Sequence, residues 1–200
     1  MNLVTHSLGA NFYTLAPPQS ENDVLFWAEQ IDQLYSETRL ESLIRNLSDE
    51  LGALTMSFSS VSYDPHGASA NLLIAQHVSA LAHLDASHIS THTYFELGDE
   101  RRWSSFRLEL EISTCGDVHP VDALSGLFEH LNPHFATIDS RTRGTRTDAN
   151  GQISLAKDNR DIGKVRVKGY ELNAAKEGTA MLVSCQNDPV IQKAISGLVF

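Results

Sequence analysis

Hydrophobic and polar positions follow two periods along the chain, and each period predicts an element. Residues 8–15 predict a first strand, ended by Pro17-Pro18. Ser20 with Asp23 makes a capping box, and Leu25, Phe26, Ile31, Leu34 and Tyr35 then recur at helical spacing. Thr38 with Glu41 makes a second box, followed by a stripe of Leu40, Leu43, Ile44, Leu47 and Leu51, with Gly52 as the stop. Two strands are expected over residues 54–63 and 68–75, joined by a turn at Asp64-Pro65-His66-Gly67.

From His88 the period is two: Ile89, Thr91 and Thr93 on one face, His88, Ser90, His92 and Tyr94 on the other. The clearest strand has Phe106, Leu108, Leu110 and Ile112 alternating with Arg107, Glu109, Glu111 and Ser113. A helix is expected over residues 120–131, strands over 135–143 and 164–168, and one or two short helices in the last thirty residues. Hairpin-like succession with helices grouped between strands predicts an α+β fold, an antiparallel sheet covered by helices.

Composition narrows the setting. Two hundred residues suit one domain, taken as 1–200, large enough to bury roughly 70% of its unfolded surface. The N-terminus lacks a basic start and an apolar run of signal-peptide length, and no stretch approaches the ~20 apolar residues of a membrane span. Cys115 and Cys185 are the only cysteines, too few for a disulfide framework, so the cytoplasm is expected. A net charge of −10 argues against nucleic-acid binding, and the one basic cluster, Arg141, Arg143 and Arg146, has no interleaved aromatics. An acidic field favours a cationic small molecule.

The candidate chemistry lies in residues 83–96, HLDASHISTHTYFE. His83 to Ser87 is polar and turn-like, which puts Ser87 at a loop-to-strand junction with His92 five residues on. On these residues alone, a reactive serine and an ordinary polar hairpin edge both stand. A metal site using His83, His88, His92 and Asp85 is a further reading, though it lacks a helical His-Glu-x-x-His frame.

This segment resembles the self-cleavage segment of the prokaryotic S-adenosylmethionine decarboxylases, in which a serine after a short loop becomes a pyruvoyl group. Ser113-Thr114-Cys115-Gly116 resembles the family's catalytic cysteine motif, at the spacing of its longer, enterobacterial-type members. Tyr63 to Ser69, YDPHGAS, resembles its other active-site loop, and the similarity also takes in residues 31–52, 137–151 and, more faintly, 165–182.

The resemblance implies a two-layer α/β sandwich that forms homo-oligomers, acts on S-adenosylmethionine and supplies the aminopropyl donor for spermidine synthesis. Decarboxylation of an α-amino acid needs an electron sink, and a self-made pyruvoyl condensed with the amine as a Schiff base provides one. Ser87 matches the pyruvoyl precursor, so cleavage is expected between Ala86 and Ser87; relatives often carry Lys or Glu where Ala86 stands. His92 matches the residue that moves a proton during processing, Ser69 one that assists it, and Cys115 the acid that reprotonates the product.

Tyr63 and Tyr94 match aromatics that sandwich adenine, and Glu96 an acid that accepts from the ribose hydroxyls. Phe95 stands where relatives have proline, and its freer φ is expected to re-aim Glu96. His88, next to Ser87, is read equally as a positioning and as a structural residue. Some relatives need Mg²⁺, and the sequence leaves that open. Two alternatives stay: the same pyruvoyl chemistry on arginine or ornithine, and an uncleaved, non-catalytic paralogue.

Overall fold

The computed structural model describes residues 3–76, 86–115, 118–157, 162–176 and 178–198. Strand β1 (Leu3–Ala16) is followed by helices α1 (Glu21–Leu34) and α2 (Glu37–Glu50), then β2 (Ala53–Ser62), β3 (Ala68–Gln76), β4 (Ala86–Glu96) and β5 (Ser104–Cys115). A 3₁₀ turn (Pro120–Ala123) leads into α3 (Leu124–Leu131). Then come β6 (Phe135–Thr147), β7 (Ile153–Leu155), β8 (Tyr170–Lys176), β9 (Thr179–Ser184) and α4 (Pro189–Ser196). The strands form one sheet in the order β2-β3-β4-β5-β1-β6-β9-β8, with β7 paired to β6, and every pairing is antiparallel.

Alternation decides which face is buried. Leu8, Ala10 and Phe12 of β1, Ile89 of β4 and Phe106, Leu108, Leu110 and Ile112 of β5 all point to the side covered by Leu40, Leu43, Ile44 and Leu47 of α2 and Leu124, Leu127 and Phe128 of α3. Removing any one of these aliphatic side chains from such a core costs roughly 2–5 kcal/mol. Among the described residues the opposite face carries a helix only at one corner, where Ile191 and Ile195 of α4 pack on Phe135, Met181 and Val183. The expected sheet-and-helix arrangement is therefore present, with α4 on the second face.

Several local expectations are corrected. Ser20 caps α1 as expected, accepting from Asp23 N–H, but the buried stripe is Val24, Ala28 and Ile31, while Leu25, Phe26 and Leu34 face outward. The cap position of α2 is Ser36 rather than Thr38, and Glu41 pairs with Arg45 one turn on. The strand expected over residues 164–168 is absent, and the last thirty residues hold β8 and β9 before their one helix.

His134 ties three strands at the α4 corner. Its Nδ1 accepts the Leu15 N–H at 3.0 Å, its own N–H donates to the Tyr13 carbonyl at 2.8 Å, and its carbonyl accepts from Ser184 N–H at 3.0 Å. Burial lowers its affinity for a proton below the ordinary value of 6.5, partly offset by the Asp188 carboxylate. The folded state needs the neutral ring, so stability is greatest above pH 6.5 and is lost as pH falls through the lowered value. The melting temperature should therefore drop between about pH 7.5 and about pH 5. His134→Gln, whose amide oxygen still accepts that N–H, should show a shallower drop, and an equal slope would remove His134 from the account.

Candidate active site

The β3–β4 hairpin positions one group of candidates. Thr93, buried in β4, accepts the Ala68 N–H at 2.7 Å and donates to the Ala68 carbonyl at 3.1 Å, which fixes the start of β3. Just before it, Gly67 has φ +107°, a conformation that disfavours any side chain, and a Cβ there would stand 3.1 Å from Thr93 Oγ1. Its N–H donates to Asp32 of α1 at 2.7 Å, and its carbonyl accepts from Tyr63 N–H at 2.8 Å. The turn so pinned lets the Tyr63 hydroxyl donate to Ser69 Oγ at 2.8 Å, and Ser69 is the direct cross-strand partner of His92. Tyr63, Ser69 and His92 therefore stand together on the helix-free face.

A second group forms at the far end of β4. Ser87 is 3% exposed and is the second residue of β4, whose first residue is Ala86. Its Oγ accepts the Cys115 N–H at 3.2 Å, so two positions 28 residues apart in sequence meet where β4 and β5 run side by side. Thr5, the β1 partner of Cys115, brings its hydroxyl to 3.9 Å from the thiol sulfur. Residues 83–85 and Gly116 lie outside the described residues.

The two groups are apart. Ser87 shares a face with the buried Ile89, Thr91 and Thr93, while His92 is on the other, and five residues of extended chain span roughly 16 Å. Within one chain, His92 does not reach the Ala86–Ser87 peptide. The same rise puts His88 and His92 roughly 13 Å apart, too far to share an ion. Among the described residues no group of three or more His, Cys, Asp or Glu could hold a metal.

Beyond His92 the helix-free face continues with Tyr94, half-exposed and paired across the ladder with Arg107, whose guanidinium sits 4.2 Å from the ring centre. Glu96 accepts from Ser105 Oγ at 3.4 Å. Phe95, the position expected to re-aim Glu96, pairs with Phe106 in the ladder, and its ring packs 5.0 Å from Phe106 and 5.6 Å from His66. A depression of about 650 Å³ occupies the middle of this face, lined among others by His88, Asn11, Glu109, Glu111, Asp139 and Arg143. Sequence reasoning did not single out Asp32, which pins the turn before β3, or Arg107. The alternation of β5 gave the face of Arg107 but not its contact with Tyr94.

The sequence model of the S-adenosylmethionine decarboxylase family matches residues 25–144, and the chain belongs to that family. It is 32% identical to the S-adenosylmethionine decarboxylase proenzyme of Chromohalobacter salexigens over 169 residues, covering 76% of this chain and 64% of that one. To the proenzyme of Hahella chejuensis it is 34% identical over 167 residues, covering 75% and 63%. The chain thus spans less than two thirds of the length of these relatives. A crystal structure of adenosylmethionine decarboxylase from Aquifex aeolicus is 23% identical, with a TM-score of 0.45, covering 70% of this chain and 88% of that one.

Proposed function

We propose that the chain is a self-processing, pyruvoyl-dependent decarboxylase that converts S-adenosylmethionine to its decarboxylated form and CO₂. On this reading residues 1–200 are one decarboxylase domain, cleaved between Ala86 and Ser87. The observation that carries it is the hydrogen bond from Cys115 N–H to Ser87 Oγ, which joins the two positions that family membership marks for chemistry.

Processing starts when Ser87 Oγ attacks the Ala86 carbonyl, turning the peptide bond into an ester and freeing the Ser87 nitrogen. Loss of the Cα proton then expels Ala86 as a carboxylate and leaves dehydroalanine, which takes up water and releases ammonia to become the pyruvoyl group. That group supplies a carbonyl electron sink. The Cys115 N–H holds Ser87 Oγ in place while the hydroxyl proton stays available for removal. Cys115 holds a proton at Sγ for the carbon left bare when CO₂ departs. The conformation of Ser87, buried in a central strand beside Cys115, fits this use of the residue.

His92, Ser69 and Tyr63 are read as acting on the Ala86–Ser87 peptide of a second copy. The roughly 16 Å of strand between Ser87 and His92, and their opposite faces, support this composite site. A homo-oligomer would then be required for processing itself. Tyr63, Tyr94 and Glu96 would hold the adenosine, and an acidic face suits a sulfonium. Neither Cys115 nor Cys185 is in a disulfide among the described residues, which suits a reducing cytoplasm, and no helix among the described residues is long and apolar enough to cross a membrane.

Co-expression tests the composite site. Ser87→Ala lacks the nucleophile and His92→Ala lacks the proton carrier, so either alone should stay uncleaved or cleave roughly 10²–10⁴-fold slower. Together they should form mixed oligomers in which the His92→Ala chain is cut. Mixed oligomers with no cut chain would place His92 outside the processing of a second copy.

Cys115→Ala keeps the backbone N–H and should still cleave, yet turn over S-adenosylmethionine slowly, read as CO₂ from carboxyl-labelled substrate, and inactivate itself. Arginine and ornithine belong in the same assay. Faster turnover of either would overturn the substrate while leaving the pyruvoyl chemistry, and durable, near-normal turnover by the variant would remove the thiol from the mechanism.

A further inference from the structure

We propose that Arg107 is a positioning residue that holds the ring of Tyr94 as a one-sided platform for the purine of the substrate. The inference rests on the nucleoside reading above and adds a residue that the family's motifs, as matched here, do not supply.

The guanidinium has the Glu109 carboxylate within reach and still lies on an aromatic face. Arg107 and Tyr94 are direct ladder partners on the helix-free side, and the guanidinium carbon stands 4.2 Å from the ring centre, well inside cation–π range. Its contact with Glu109 is longer than a tight ion pair, at 3.5 Å, and its Nε is buried with no hydrogen-bond partner among the described residues. The ring contact is therefore what fixes the guanidinium plane. Tyr94, capped on one face, is still 45% exposed, so its remaining face is open. The nearest neighbouring ring, His92, is tilted by 36° at 6.5 Å and does not cover it.

Two consequences follow from elementary electrostatics. A cation held on one face draws π density toward itself and leaves the opposite face better matched to an electron-rich purine. Capping one face also removes a competing stacking mode and restricts the rotamers of a half-exposed side chain, so less order is lost when the base arrives. Arg107 would act through Tyr94 without touching substrate, and would have no part in cutting the Ala86–Ser87 peptide, seven residues of extended strand from Tyr94.

The test measures binding of 5′-methylthioadenosine by calorimetry and the steady-state constants for S-adenosylmethionine, with Ser87 cleavage as a control for folding. Arg107→Met fills the same space without charge. It should weaken methylthioadenosine binding and raise KM by roughly two- to fivefold, the fold-change an exposed cation–π contact is worth, with kcat changed less than KM and cleavage at the parental rate. Arg107→Lys, a cation without the flat stack, should recover part of the loss. Glu109→Gln, which removes only the longer ion pair, should bind like the parent. Parental binding by Arg107→Met, or an equal loss in Glu109→Gln, would overturn the role of Arg107. If the parent itself fails to bind methylthioadenosine while turning over arginine or ornithine, the nucleoside reading fails, and this inference with it.

Discussion

The register between β4 and β5 is the constraint on which the rest depends. Their ladder runs from His88 opposite Ser113 to Glu96 opposite Ser105. It sets Ser87 Oγ under the Cys115 amide and Tyr94 against Arg107. A slip of one residue would turn every side chain of β4 to the other face. The core forbids that slip, because Ile89, Thr91, Phe106, Leu108, Leu110 and Ile112 are each 1% exposed or less. The packed face of the sheet thus fixes the register that brings Ser87 to Cys115 and, on the other face, Tyr94 to Arg107.

Much of this was legible in the sequence where one face of an element is buried and the other is wet. The alternation of residues 88–94 and 106–113 gave both strands and both faces. It failed where that contrast disappears. Residues 181–183 of β9 are apolar on both faces because the main core lies on one side and α4 on the other, so no period of two survives. The sequence of β8, YELNAAK, is rich in helix formers, and its strand state is imposed by pairing with β9. In α1 the apolar residues fall on two faces, and spacing alone could not say that Val24, Ala28 and Ile31 outrank the bulkier Leu25 and Phe26.

The site was half legible for a related reason. Motifs gave the residues but carried no distances. Ser87 and Cys115, far apart in sequence, are in contact, while Ser87 and His92, five residues apart, are not. An extended strand separates near neighbours and joins remote ones, so His92, on the same strand as Ser87, points away from it. On the proposed reading, this arrangement is what calls for a second copy in processing. Arg107 escaped notice because a charged residue on the polar face of a strand looks solvated until its partner is known.

The proposed self-cleavage between Ala86 and Ser87 is the central claim, and the intact mass of the purified, denatured protein tests it most directly. Two chains are predicted, residues 1–86 and a larger one of residues 87–200 whose modified first residue blocks N-terminal sequencing. A single full-length chain, unchanged after prolonged incubation of the assembled protein, would contradict it.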